Sequence, residues 1–184
     1  RLKSYVYIYY ARMLNIRDCV INYAITGNSS NCHGIYCRFP EILHVEDVKV
    51  YSPLNYGSYE YYPLCLSENS DDGIECEIRN ISQELIFNGT YEYIPSLIRI
   101  SGYLNARIHN ISVNMPDRGL SEVRPANLYL QNNLIYFSYL RDFTVSDITV
   151  NIPRCWRCTA PAVGLYDCYS SNYVPGIEKD VRNI

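Results

Sequence analysis

The stretch "SENSDDGIEC" gathers Glu68, Asp71, Asp72 and Glu75 within ten residues. Two neighbouring carboxylates can divide the work of general acid and general base at a glycosidic bond. Asp71 and Asp72 are the candidates for that chemistry. The competing reading of "NSDDG" is a turn or a weak cation loop, since Asp, Asn, Ser and Gly are turn formers. No residue is assigned a catalytic role on sequence alone. The histidines offer less. His33 sits between cysteines in a loop, and no His pair has metal-ligand spacing. No metal centre and no cofactor are therefore expected.

Cysteine and asparagine carry the remaining chemistry. Cysteines stand at positions 19, 32, 37, 65, 76, 155, 158 and 168. Cys32 and Cys37 are spaced to close a loop. Cys155-x-x-Cys158 followed by Cys168 begins as a zinc ribbon does, but Ser171 stands where a second Cys-x-x-Cys would end. A disulfide-tied segment is the preferred reading. Glycosylation sequons occur at Asn28, Asn80, Asn88 and Asn110. An even cysteine count together with sequons points to the secretory route and an extracellular or cell-surface location.

Composition bounds the elements that must position these groups. The 184 residues suffice for one substantial core, with 48% hydrophobic and 19% charged residues. Tyrosine is abundant at 20 residues, lysine is scarce, and no alanine-leucine-glutamate helical pattern is present. That mixture favours strands and turns. The net charge of −3 and the lack of a basic run argue against nucleic acid as a partner. No apolar stretch approaches the roughly 20 residues of a membrane span. Arg1 leads straight into "SYVYIYY" with no signal peptide, so a mature chain or a fragment of a longer one is expected.

The strongest pattern is internal repetition. "NARIHNISVNMP" and "DFTVSDITVNIP" are two copies of apolar-x-apolar-x-Asx-apolar-x-apolar. "LNIRDCVI" and "LHVEDVKV" fit the same pattern, and "CEIRNISQ" fits until Gln83 takes the last apolar slot. The Asx positions are Asp18, Asp47, Asn80, Asn110 and Asp147, spaced by 29 to 37 residues. A second short strand keeps step, with Ile8, Cys37, Leu66, Ile100 and Phe137 in matching places. Repetition at this period with two-residue alternation predicts a parallel β-solenoid. The apolar slots change phase at Asx, so the backbone must bend there. Asn and Asp tolerate left-handed backbone angles, and stacked coils would align them as a hydrogen-bonded ladder. Ladder residues are expected to face the interior or a tight turn. Asn80 and Asn110 are therefore read as structural, and Asn28 and Asn88, in loops, as the glycan carriers. Alternation sends His44 and His109 outward, and Cys19, Cys37 and Cys76 inward.

The phrase "ARIHNISVNM", with Asn at a bend between short strands, resembles the right-handed parallel β-helix of the pectin-lyase-like superfamily over about residues 5 to 153. The resemblance implies a single-stranded β-helix and, in one branch, polysaccharide cleavage. The polygalacturonase-like branch uses an Asp-Asp pair that Asp71 and Asp72 resemble. That branch also carries Gly-His-Gly and Arg-x-Lys on the following coils, where this chain reads "RISGYLNARI" and "IYFSYLRDFT". The tail "CWRCTAPAVGLYDCYSSNYVPG" resembles one unit of the cysteine-rich growth-factor-receptor-like and furin-like repeats.

The expected architecture is all-β: a right-handed parallel β-helix of about five coils over 1–153, then a cysteine-rich cap or linker over 154–184. An open solenoid end exposes apolar residues and unpaired strand edges. Arg1 to Tyr10 begin in mid-pattern, so further coils of a longer parent chain, or other copies stacked end-on, are the expected partners. Exposed tyrosine rows would also suit carbohydrate. The expected function is an extracellular structural or adhesive module of a coat, filament or larger surface protein. The alternatives are a polysaccharide lyase or glycoside hydrolase, and a secreted viral-type glycoprotein binding a host protein through an antiparallel sandwich.

Overall fold

A computed structural model describes residues 6–22, 34–38, 40–53, 62–66, 73–86, 92–94, 96–115, 128–130, 133–152, 157–158, 161–166, 168 and 181–182. The strands are β1 (Val6–Ile8), β2 (Ala11–Asn22), β3 (Ile35–Cys37), β4 (Pro40–Pro53), β5 (Leu64–Leu66), β6 (Gly73–Ile86), β7 (Glu92–Tyr93) and β8 (Ile98–Ser101). They continue as β9 (Tyr103–Asn114), β10 (Leu128–Leu130), β11 (Ile135–Ser138), β12 (Asp142–Asn151), β13 (Arg157–Cys158), β14 (Val163–Tyr166) and β15 (Val181–Arg182). The described elements are all strands. No helix among the described residues is long and apolar enough to cross a membrane.

The strands stack into three sheets. Short strands form β1-β3-β5-β8-β11-β14, long ones form β2-β4-β6-β9-β12-β15, and β7-β10-β13 make a third. Every pairing is parallel, as a β-solenoid requires, and this excludes the antiparallel sandwich. The segment after residue 153 supplies the last strand of each sheet: β14 on β11, β15 on β12 and β13 on β10.

The register follows the repeat. Ile8, Cys37, Leu66, Ile100 and Phe137 occupy one row of the short-strand sheet, which Leu165 extends. In the long-strand sheet Ile16, Val45, Ile78, Ile108 and Val145 form one inward row, and Cys19, Val48, Ile81, Ile111 and Ile148 another. Leu43, Val45, Val48, Ile78, Ile81, Ile108, Ile111, Val145 and Ile148 are fully buried. Burying each such side chain stabilises by roughly 1.5–3 kcal/mol, provided the next coil covers it. The first coil lacks that cover: Leu14, Cys19 and Ile21 stay half-buried, while Leu43, Val48 and Val50, one coil on, are closed off.

The five Asx residues are the bend. Asp18, Asp47, Asn80, Asn110 and Asp147 have φ between 51° and 56°. The backbone pairing runs on either side of this position and skips it. Asn110 Nδ2 donates to Asn80 Oδ1 at 2.7 Å, and Asn80 Nδ2 to Asp47 Oδ1 at 2.9 Å. Side-chain amides thus bridge the interval that the main chain leaves. The expectation allowed either the interior or a tight turn, and these residues sit at the turn. All five residues are exposed rather than turned inward. The left-handed residue makes two consecutive side chains face outward before the alternation resumes.

Gly73 and Gly102 shape the corner that leads into the long strands. Gly102 has φ 81°. A Cβ on Gly73 would lie 2.4 Å from the Tyr103 ring and 2.6 Å from the Gly102 carbonyl oxygen. Gln83 keeps its place in the apolar row despite its amide. It is buried, and its Nε2 donates to Ser52 Oγ at 3.0 Å and to the Ser96 carbonyl at 3.3 Å.

Candidate functional site

Three outward rows cross the long strands before the bend. The first contains Met13, Ile42, Glu75, Asn105 and Asp142. The second contains Asn15, His44, Glu77, Arg107 and Thr144. The third contains Arg17, Glu46, Arg79, His109 and Ser146. They point to solvent, each with an inward-facing neighbour on at least one side.

The first two rows border a groove of about 460 Å³ across β6, β9 and β12. Its polar side chains are Glu75, Glu77, Asn105, Arg107, Asp142 and Thr144. Three carboxylates, a guanidinium, an amide and a hydroxyl therefore share one concavity. Asn105 is held by the adjacent strand, donating from Nδ2 to the Ile74 carbonyl of β6 at 3.3 Å.

Beside the groove the charges alternate by strand. Arg79 Nη2 lies 2.6 Å from Glu46 Oε1, and Arg17 Nε lies 4.0 Å from Glu46 Oε2. The hydrogen bond from Arg79 holds the Glu46 carboxyl below its ordinary pKa, and Glu46 in turn raises that of Arg79. Arg79 is thereby engaged away from Glu77, which it meets only at 3.9 Å. His44, Glu75 and Glu77 can bring one ligand atom each within 4.8 Å of one another. His44 Nε2 is closed off from solvent and lies 3.7 Å from Glu75 Oε1. The Cys76 thiol, between the two glutamates in sequence, points into the core. Burial raises its pKa steeply, and the flanking Glu75 and Glu77 add to the shift.

No family model, curated protein or solved structure matches this chain. The site must be read from its own geometry.

Of the residues singled out in sequence, Glu75 and His44 belong to this site. Asp71, Asp72, Asn28, Asn88, Cys32 and Cys155 lie outside the described residues. For Cys158 the backbone alone is described, in β13. Cys37 and Cys168 are buried, Cys37 in the inward row of the short-strand sheet. Asn80 and Asn110 stand in the exposed ladder with their amide nitrogens already donating. Sequence reading missed Glu77, Arg107, Asp142 and Thr144. The signal was present: aligning the repeats on Asx puts His44, Glu77, Arg107 and Thr144 in one column, three residues before it.

Four tyrosines stack in pairs on the short-strand sheet. Tyr7 stacks on Tyr36 at 5.0 Å, and Tyr136 on Tyr166 at 4.9 Å. The Arg99 guanidinium lies 5.0 Å from the Tyr136 ring centre. Tyr36 and Tyr62 are buried with Cys65 in a second apolar cluster outside the main core.

Proposed function

We propose that the chain is an extracellular structural or adhesive module: a glycosylated β-solenoid unit of a surface coat, filament or larger surface protein. The observation that carries this reading is the uncovered first coil. Of its inward residues Ile16 is buried but Leu14, Cys19 and Ile21 remain half-buried, and Val6, Tyr7, Tyr9, Tyr10, Met13 and Val20 are exposed on or beside β1 and β2. Both strands are sheet edges, with main-chain groups that a further coil would pair. A second copy stacked end-on, or more coils of a parent chain, would complete the row. The sequons and cysteines support a secretory setting.

Sedimentation of the full 184-residue chain tests the reading. End-on assembly, weakened by Val20→Lys and Ile21→Lys, is the expected result. A compact monomer at all concentrations, in wild type and in both variants alike, would remove the argument for stacking.

A second reading is favoured by the groove. Carboxylates Glu75, Glu77 and Asp142 with Arg107 on consecutive coils suit a polysaccharide lyase or glycoside hydrolase, as the pectin-lyase-like resemblance implies. The same polar lining suits binding of carbohydrate without cleavage. Incubation with acidic and neutral polysaccharides separates these outcomes: new reducing ends or unsaturated products that vanish in Glu77→Gln would favour the enzyme. The cysteine-rich tail resemblance adds a disulfide-tied terminus to either reading.

A further inference from the structure

We propose that His44, Glu75 and Glu77 form a binding site for a divalent first-row transition ion, with Zn²⁺ as its natural probe. One imidazole nitrogen and two carboxylates from adjacent strands form a nitrogen-oxygen set suited to such ions. Their ligand atoms lie within 4.8 Å of one another. Bonds to zinc of about 2.0–2.2 Å need these atoms closer together by well under a side-chain rotation. Glu75 and Glu77 are half-exposed, Glu75 already facing His44 at 3.7 Å and Glu77 held only by the 3.9 Å contact with Arg79.

Two further observations point to a ligand here. The first is His44 Nε2. It is enclosed, and it has no hydrogen-bond partner among the described residues. An enclosed imidazole nitrogen without a partner is unfavourable, whether it carries a proton or a lone pair. A cation on the lone pair relieves that penalty, with Glu75 and Glu77 neutralising its charge. The second is a small cavity of about 20 Å³ beside His44 and Glu77, bordered also by Arg17, Val45, Glu46 and Arg79. It has room for a single atom-sized guest. The two arginines would repel a cation, but Glu46 binds Arg79 at 2.6 Å and also faces Arg17. The two remaining carboxylates are left to face the imidazole. Because both glutamates also line the groove, a bound ion would keep an open side toward it.

The test is calorimetric titration of the full metal-free chain with Zn²⁺, repeated with His44→Ala, Glu77→Gln and, as a control on the same sheet, Glu84→Gln. One equivalent is expected in the wild type and in Glu84→Gln. Affinity should fall at least about tenfold in His44→Ala and Glu77→Gln, since even partners outside the coordination shell are worth that much. Thermal unfolding without metal confirms that the variants fold. Cobalt gives an independent readout: imidazole-carboxylate ligation without a thiolate charge-transfer band supports the site. A thiolate band would assign the metal to cysteine and overturn the proposal. So would uptake unaffected by His44→Ala, or equal competition by Ca²⁺, which takes oxygen ligands and would show that the imidazole plays no part.

Discussion

The two faces of the long strands obey different rules. On the inward face the rows are apolar from coil to coil, as in Val45, Ile78, Ile108 and Val145, with buried Gln83 the exception in its row. On the outward face the neighbouring row reads Asn15, His44, Glu77, Arg107 and Thr144. The inward residue touches equivalent residues above and below, so a polar one such as Gln83 must find buried hydrogen-bond partners. The outward residue need only avoid an unfavourable charge next to it. Arg17, Glu46 and Arg79 meet that condition by alternating sign. Inward rows thus specify the fold, while outward rows are free to carry a site.

The largest expected effect sets these faces against each other at adjacent positions. Ile78→Ala removes a fully buried side chain and should cost about 2–5 kcal/mol of stability. Glu77→Gln alters a half-exposed residue whose nearest cation is 3.9 Å away, and should stay within about 0.5 kcal/mol. Denaturant midpoints for the two variants measure the contrast. Equal losses would mean that the outward row also holds the solenoid together.

The corner glycine comes next. Gly73→Ala drives a methyl group against the Tyr103 ring and the Gly102 carbonyl, and overpacking of this kind costs about 1–3 kcal/mol. Tyr103 cannot retreat freely, because it is buried and its hydroxyl donates to the Pro40 carbonyl at 3.2 Å. Adding Tyr103→Phe to Gly73→Ala should make matters no better if the backbone contact dominates. Recovery in the double variant would place the strain on the ring instead.

The bend ladder should have a smaller and separable effect. Asn80→Ala loses two side-chain hydrogen bonds and puts a Cβ-bearing residue without a local polar partner at φ 56°. A loss of about 1–2 kcal/mol is expected. Asn80→Gly keeps the backbone freedom and loses only the bonds, so it should recover part of that loss. Identical stabilities for the two variants would show that the ladder bonds, rather than the left-handed backbone, make the residue matter.

These contrasts explain how much was legible in the sequence. Period-two alternation with a phase change at Asx was enough to place the parallel strands, the bend and the register, because each depends on rows of like residues. Even the imperfect copy was legible as a copy, although Gln83 hid its solution, a buried amide bonded to Ser52 and Ser96. Whether the ladder faces the interior or lies exposed at the turn was left open by the pattern. Alternation says that a phase changes at Asx, but the left-handed φ decides on which side the extra residue falls. The site was harder still. His44 and Glu77 are 33 residues apart and unremarkable singly, and only coil-on-coil stacking brings them together. Metal-ligand pairs at short spacing lie along the chain, whereas this site runs across it.

The smallest expected effect links the charge rows to that site. Glu46 is partly buried, and Arg79 holds its pKa below the ordinary carboxylate value. A depressed folded pKa stabilises the protein above the unfolded value, about 4.3, and that contribution is lost as pH falls through the folded pKa. Glu46→Gln should therefore differ slightly from wild type at neutral pH, and the gap should close on acidification. Unfolding midpoints measured across that range check the sign; a gap that widens in acid would assign the shift to another group. The same variant also frees Arg79 from its 2.6 Å partner, with Glu77 as the next carboxylate at 3.9 Å. Zn²⁺ affinity should then fall although no ligand has been touched, and Glu46→Gln with Arg79→Gln should restore it. If Glu46→Gln binds Zn²⁺ as wild type does, the alternating charges serve the strands alone and leave the groove untouched.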